Sequence, residues 1–144
     1  LEITESSLIS DPERTQASLN QIAALGVTLS IDDFGTGYSS LSYLKRLPVQ
    51  AIKIDQSFVA DMLDDQQDLV IVRSTINMAR NLGLKVVAEG AEDLATYNTL
   101  RGMGCDFVQG YYISKPLDSS LIDEALKNGK FCVVSKAAVS SGIG

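Results

Sequence analysis

The sequence predicts an α/β fold and, more narrowly, a partial TIM-type (β/α) barrel of about five β-α units. Short apolar runs alternate strictly with stretches of helical period through most of the 144 residues, which is typical of parallel βαβ architecture. Each predicted strand also carries a polar residue at or near its carboxyl end, always on the same side. Because a doubly wound sheet buries both faces under apolar residues, this polar side favours the mouth of a barrel. A complete barrel typically needs about 250 residues, so we expect only part of one.

The predicted elements follow from hydrophobic period and from residues that start or stop helices. Asp11 caps the first helix and Gly26 ends it, whereas Ser39 or Ser40 caps a short second helix that ends at Pro48. The strands are predicted over 1–4, 27–34, 51–55, 84–89 and 107–109. The longer helices are predicted over 67–82, 93–103 and 118–128.

Composition and charge exclude several classes of protein. The chain is 45% hydrophobic and carries 12 Lys and Arg against 18 Asp and Glu, a net charge of −6, which disfavours a partner such as DNA or RNA polymer. No apolar run approaches the roughly 20 residues that span a bilayer, and we expect no signal peptide. Cys105 and Cys132 fit reduced thiols of a cytoplasmic protein better than a disulfide framework. We expect residues 1–130 to form the barrel part and residues 131–144 a loose C-terminal tail.

The residues that could carry chemistry are carboxylates and one lysine. The sequence contains no histidine, which excludes Ser-His and Cys-His catalysis and the usual zinc sites. Side-chain alternation places Glu2, Asp32, Lys53 and Glu89 on one side of the predicted sheet, and Gln109 joins them. Carboxylates gathered there repel each other, and a divalent cation such as Mg²⁺, Mn²⁺ or Ca²⁺ would resolve that repulsion.

The adjacent pair Asp32-Asp33 suggests a bridge between two metal ions, an arrangement that cuts phosphodiesters when the ions lie about 3.5–4 Å apart. Several of the candidates, and Glu92 beside them, also have a simpler interpretation. The Asp32-Asp33 pair is compatible with a plain turn, and Lys53 with a counter-ion inside the barrel. Glu92 is compatible with a solvated helix start, and Gln109 with a side chain that satisfies backbone groups.

Five segments, taken together and in order, resemble the C-terminal portion of the EAL domain, the cyclic-di-GMP phosphodiesterase family. The resemblance covers roughly residues 1–128, and its DDFGTG segment is highly specific. The segments are LEITES at 1–6, DDFGTGYSSL at 32–41, KID at 53–55, VAEG at 87–90 and QGY at 109–111.

This resemblance implies a barrel that hydrolyses cyclic di-GMP to linear pGpG with two Mg²⁺ or Mn²⁺ ions. It implies the metal ligands Glu2, Asp32, Asp33 and Glu89. It also implies catalytic roles for Lys53, which would hold the attacking water, and for Glu89 as base. Supporting roles around the metal site and its loop fall to Glu5, Glu92 and Gln109, and substrate binding falls to Phe34 and Gly35.

The sequence also departs from the family pattern. The family's Glu-Ala-Leu and a metal-binding Asn lie upstream of the matched segments, whereas Glu124-Ala125-Leu126 lies in the last predicted helix and receives no functional role. We therefore expect completion by a missing N-terminal segment or by a second copy in a homodimer, because an open barrel exposes strand edges. A sensor domain is expected in the full-length protein. The alternative is a catalytically inactive module that binds cyclic di-GMP or another protein.

Overall fold

The computed structural model describes residues 1–8, 11–37 and 41–127. Its strands are β1 (Glu2–Thr4), β2 (Ser30–Phe34), β3 (Ala51–Ile54), β4 (Lys85–Ala88) and β5 (Phe107–Val108). Its helices are α1 (Pro12–Ala24), α2 (Leu41–Leu44), α3 (Gln56–Ala60), α4 (Gln66–Asn81), α5 (Leu94–Met103) and α6 (Ser119–Lys127). A 3₁₀ turn over Glu5–Leu8 follows β1.

The strands form one parallel sheet in the order β1-β2-β3-β4-β5. Every strand therefore pairs with its neighbour in sequence, and at least one helix covers each crossover. This sequential order is that of a barrel wall, because a doubly wound sheet reverses direction at a switch point. The prediction of an α/β fold with five successive β-α units is confirmed, and the carboxyl ends of all five strands meet at one edge.

One side of the sheet is sealed by the helices. The aliphatic residues of β2, β3 and β4 that point to this side are almost inaccessible to solvent, and they pack with apolar residues of the helices. Burial of this apolar surface supplies the main stabilisation of the fold. The strand residues are Ile31, Ile52, Ile54, Val86 and Ala88; the helix residues include Leu19, Val72, Ile76 and Leu100.

Helix capping follows the sequence closely. Asp11 accepts the Arg14 backbone N–H at 3.2 Å as the N-cap of α1, as its position before Pro12 predicts. Ser39 and Ser40, the predicted caps of the second helix, lie outside the described residues, as does the whole predicted tail over 131–144. In the part of the chain that the structure describes, no helix is both long and apolar enough to cross a membrane.

The second strand begins later than predicted, at Ser30 rather than Val27. The reason is local hydrogen bonding. The Leu29 N–H donates to the side-chain Oε1 of Gln50 at 2.7 Å, whereas the Leu29 carbonyl accepts the Gln50 backbone N–H at 2.9 Å. A side-chain oxygen thus takes the place of a backbone carbonyl just before Ser30.

Candidate metal and catalytic site

Four charged side chains meet at the carboxyl edge of the sheet. The Lys53 ammonium Nζ lies 2.8 Å from Glu2 Oε1, 3.0 Å from Asp32 Oδ1 and 2.8 Å from Glu89 Oε1. Only 11% of the Lys53 side chain is exposed, against 22% for Asp32, 19% for Glu89 and 55% for Glu2. The alternation of side chains along the strands predicted this convergence, and the structure confirms it.

Neighbouring strands place these groups. Lys53 belongs to β3, the central strand, and pairs in register with Val87 of β4. Glu89 follows β4 directly, and its N–H donates to the Ile54 carbonyl at 3.2 Å, so the β3–β4 ladder holds its backbone. Asp32 lies on the other neighbour, β2, in register with Thr4. The long Lys53 side chain therefore has a carboxylate on each flank.

The charges in this cluster do not balance. Burial alone would lower the pKa of Lys53, but its contacts with Glu2, Glu89 and Asp32 outweigh burial and raise the pKa above its ordinary value. Lys53 is therefore an ammonium at every physiological pH. Three carboxylates around one ammonium leave negative charge in excess, which favours an additional cation at this edge.

One oxygen of the cluster has no hydrogen bond. Asp32 Oδ1 is buried and accepts none from the described residues, although Lys53 Nζ lies at ion-pair distance. The ammonium is close to this oxygen, but it does not approach in a hydrogen-bonding direction. A buried carboxylate oxygen that lacks a donor carries a desolvation cost, and a metal ion is one way to remove that cost.

The residues of the cluster fit a hard divalent cation in their chemistry. All ligand atoms on offer are carboxylate oxygens, which Mg²⁺, Mn²⁺ and Ca²⁺ prefer. Within the described ranges, however, no three acidic, cysteine or histidine side chains are placed to hold a metal ion directly. The Lys53 ammonium lies between the three carboxylates that would be candidate ligands.

Asp33 adopts a conformation of its own. The β2–β3 register shifts between Ile31 and Phe34, so Phe34 instead of Asp33 pairs with Ile54, and Asp33 has a φ of +53°. This is a β-bulge, which re-aims side chains at the end of a strand. The Asp33 carboxyl lies close enough to that of Asp55 for the two groups to interact. Burial, then the negative charges of Asp32 and Asp55, raise the pKa of Asp33.

The same bulge places Phe34 against the core, since its side chain is partly buried and packs on the apolar cluster. Gly35 follows with a φ of +107°, and a Cβ there would lie 2.9 Å from the Phe58 ring. Only glycine satisfies both the backbone conformation and the close approach. The loop after β2 is therefore fixed by packing on one side and by glycine geometry on the other.

The buried carboxylate of Glu5 accepts hydrogen bonds from this loop. Its side chain is 2% exposed, and Oε2 accepts the N–H of Gly35 at 2.9 Å and of Gly37 at 3.1 Å. A buried carboxylate that accepts two backbone N–H groups binds them with charge-assisted hydrogen bonds. The support of the loop by Glu5, which the family resemblance implied, agrees with these contacts.

Gln109 and Glu92 lie near the cluster without contacting it. The Gln109 N–H donates to the Ala88 carbonyl at 2.8 Å and its carbonyl accepts the Ala91 N–H at 3.2 Å, so its backbone runs beside Glu89. Its side chain lines a cleft of about 340 Å³ together with residues of the loop before α6. Glu92 is exposed. Neither side chain is joined to Lys53 by an ion pair or hydrogen bond of the described residues.

Sequence reasoning did not select Asp55 as a site residue. Asp55 caps α3 by accepting the Ser57 N–H at 2.8 Å, and it also meets the Asp33 carboxyl. The available signal was strand alternation, because Asp55 follows β3 on the same side as Lys53. Its position before a short helix concealed that signal, since a capping role alone explains an aspartate there.

A family model for the EAL domain matches residues 1–116. The chain belongs to the EAL domain family. It is 47% identical over 131 residues to the cyclic di-GMP phosphodiesterase NbdA of Pseudomonas aeruginosa, which covers 91% of this chain and 17% of NbdA. The chain thus spans a small part of that relative.

Solved EAL structures agree with the fold. The MucR phosphodiesterase in complex with cyclic di-GMP superposes with a TM-score of 0.82 and 43% identity, over 85% of this chain and 49% of that chain. BlrP1 of Klebsiella pneumoniae, in a complex with manganese and cyclic di-GMP, gives 0.70 and 36% identity over 76% of this chain and 28% of that chain. The sheet therefore has the fold of the corresponding part of an EAL domain, and this chain spans about half the length of the MucR structure.

Proposed function

We propose that this EAL domain provides part of a divalent-metal-dependent site that hydrolyses cyclic di-GMP to linear pGpG. The observation that carries the proposal is the convergence of Glu2, Asp32 and Glu89 on Lys53 at the carboxyl edge of the sheet. Active sites of barrel enzymes lie at this edge. The proposal also draws support from two relatives, the cyclic di-GMP phosphodiesterase NbdA and the bifunctional diguanylate cyclase and cyclic di-GMP phosphodiesterase MucR.

The metal would be Mg²⁺ or Mn²⁺, and its ligands would be Glu2, Asp32, Asp33 and Glu89. When bound, such an ion lowers the pKa of water and neutralises developing charge on the phosphodiester. Manganese in the BlrP1 complex supports the choice of metal. Asp32 and Asp33 would together allow the site to hold a pair of such ions.

The protein residues would divide the remaining work. Hydrolysis adds a water oxygen to phosphorus and breaks the bond from phosphorus to the ribose oxygen. Glu89 would accept the proton of the water on its carboxylate, and that proton or another then reaches the leaving oxygen. Lys53 would orient the water through its ammonium, which is held at 2.8 Å from Glu89. Glu5 would keep the loop of Phe34 and Gly35 in position for the nucleotide.

Turnover of cyclic di-GMP tests this proposal. The folded chain is incubated with the dinucleotide in Mn²⁺, in Mg²⁺ and in chelator, and chromatography follows the linear product. We expect product only with metal, and about a thousand-fold slower turnover by the Glu89→Gln variant. Lys85→Met serves as matched control, because Lys85 pairs with Asp106 at the opposite edge of the sheet. Metal-dependent turnover that survives Glu89→Gln at the wild-type rate would contradict the assigned base.

One observation favours a second candidate, a module that binds cyclic di-GMP without cutting it. Across the described parts of the chain, no three ligand side chains are placed to hold a metal ion directly. Calorimetry with cyclic di-GMP in chelator separates the two candidates. Binding in chelator, with no turnover when Mn²⁺ is added, would select the binding module.

Completion of the site is a further part of the proposal. The remaining ligands would come from another segment of a longer protein or from a second copy of the chain, and a sensor domain would control the site. The match to only 49% of the MucR chain supports a missing portion. Light scattering tests the second copy, since a homodimer doubles the 15.5 kDa mass.

A further inference from the structure

Lys53 occupies the place where the carboxylates converge. We infer that Lys53 is a built-in counter-cation: it keeps Glu2, Asp32 and Glu89 together in the metal-free protein and competes with a divalent metal for their oxygens. The inference rests on the metal-binding part of the proposed function but not on its chemistry.

The geometry shows how much the cluster depends on this ammonium. Each of the three carboxylate oxygens lies within 3.0 Å of Nζ. Any two of them are therefore no more than about 6 Å apart, a range in which like charges repel each other strongly. Without a cation between them, the three carboxylates would repel each other and separate. Lys53 is thus the group that holds the cluster in its observed arrangement.

A comparison with Lys85 shows that this arrangement is specific. Lys53 and Lys85 lie on the neighbouring strands β3 and β4, and each forms an ion pair at 2.8 Å. The Lys85 side chain is 57% exposed and pairs with Asp106, whereas the Lys53 side chain is 11% exposed and pairs with three carboxylates. An exposed pair contributes little and is screened by salt, whereas a partly buried cluster is screened much less.

Competition follows from the shared oxygens. A magnesium ion binds oxygens at about 2.0–2.1 Å, and an ammonium already contacts the same atoms. Two cations at such short range repel each other strongly, so metal binding must move Nζ away from at least one carboxylate. Asp32 Oδ1 is the natural first ligand, because it is the buried oxygen that accepts no hydrogen bond from the described residues.

The direct test measures Mn²⁺ affinity by calorimetry in wild type, Lys53→Met and Lys85→Met. Methionine keeps an unbranched apolar stem and removes the charge. We expect Lys53→Met to bind Mn²⁺ at least about ten-fold more tightly than wild type, because an opposing charge has left the site. Lys85→Met should match wild type. Equal, weaker or undetectable binding by Lys53→Met would overturn the inference.

Thermal unfolding gives a readout that does not depend on turnover. In chelator, Lys53→Met should melt below wild type, and Mn²⁺ should raise its melting temperature by more than it raises that of wild type. If Lys53→Met does not fold in chelator, Mn²⁺ during refolding should restore native circular dichroism. A variant that Mn²⁺ neither stabilises nor refolds would contradict the inference.

Wild type itself offers the last check, through lysine ammonium NMR signals assigned with the two variants. Saturation with the diamagnetic ion Mg²⁺ should shift or broaden the Lys53 signal and leave that of Lys85 unchanged. An unchanged Lys53 signal in Mg²⁺-bound protein would overturn the inference. Because none of these measurements uses cyclic di-GMP, an inactive protein with Lys53-limited metal binding would refute the proposed function alone.

Discussion

The two sides of strand β3 differ in almost every physical property. Ile52 and Ile54 point towards the helices and are fully buried, whereas Lys53, between them in sequence, meets three carboxylates on the other side. One backbone register fixes both arrangements, since successive side chains of a strand alternate. Residues that stabilise the core and residues of the candidate site are thus adjacent in sequence but lie on opposite sides of the sheet. Substitutions on the two sides should therefore have different consequences.

The polar side is also less completely closed. Its carboxylates keep part of their surface in solvent, Glu2 more than the others. Partial exposure lowers the desolvation cost of assembling charges, and it leaves access for a ligand. The helix side offers no such access, because its strand residues are sealed by α1, α4 and α5. The predictions below test this division.

The largest effect is expected from Glu89→Gln on the polar side. The substitution keeps the shape of the side chain and removes the carboxylate that would accept a proton, a loss of about a thousand-fold in turnover, equivalent to about 4 kcal/mol. The melting temperature in chelator should change little, because Lys53 keeps two other carboxylates. Steady-state kinetics checks the loss of turnover, and calorimetric melting of the same preparation checks the melting temperature.

On the helix side, Ile52→Ala should cost about 3 kcal/mol of unfolding free energy, because it leaves a cavity in a fully buried cluster. Val87→Ala is the matched control, since Val87 lies on the polar side of β4 and is only partly buried. We expect it to cost clearly less. Urea denaturation measures both values, and equal costs would refute the proposed division between the sides.

Alkaline pH should weaken the core through Cys105. Burial raises the pKa of this thiol from 9.0 to about 11, and its Sγ donates to the Phe107 carbonyl at 3.1 Å. Between these values the native protein keeps the proton that the unfolded chain has lost. Stability is therefore complete below pH 9 and falls by about 2–3 kcal/mol as the pH rises to 11.

The Cys105→Ala variant isolates this effect, because its unfolding free energy lacks the contribution of the thiol. Urea denaturation of both proteins at intervals from pH 8 to pH 11 should give curves that converge as the pH rises. Parallel curves would show that the buried thiol does not titrate in this range.

The smallest effect is expected for a substitution at the N-terminus of α1, away from both sides of the sheet. Asp11→Ala removes the side chain that caps α1 at the Arg14 N–H and should cost about 1 kcal/mol. Neither Mn²⁺ affinity nor turnover should change, because Asp11 contacts no residue of the Lys53 cluster in the described structure. A change in metal affinity would show that the helix side and the polar side are coupled.

Much of this arrangement follows from local sequence. Strict alternation of apolar runs and helical stretches predicted the parallel sheet, and side-chain alternation predicted that Glu2, Asp32, Lys53 and Glu89 converge. Both rules depend on the period of the backbone, which one sequence reveals. The short helix α3 and the 3₁₀ turn over Glu5–Leu8 were not predicted, because elements of one turn leave no periodic signal.

Side-chain alternation along the strand could not predict the bulge at Asp33. A left-handed residue inserts one extra position into β2, so simple alternation fails beyond Asp32 and gives the wrong side for Phe34. That geometry sets the interaction between Asp33 and Asp55. It also sets the hydrogen bonds that Glu5 accepts from the loop after β2. Long-range contacts of this kind are set by tertiary packing and not by local pattern.

The most direct test of the account is a crystal structure grown with Mn²⁺, with anomalous diffraction to locate the metal. The account predicts an anomalous peak bonded to Asp32 and Glu89 at the carboxyl edge, with Lys53 Nζ withdrawn from at least one of its three carboxylates. Manganese bound elsewhere, or a Lys53 that retains all three contacts in manganese-saturated protein, would contradict it.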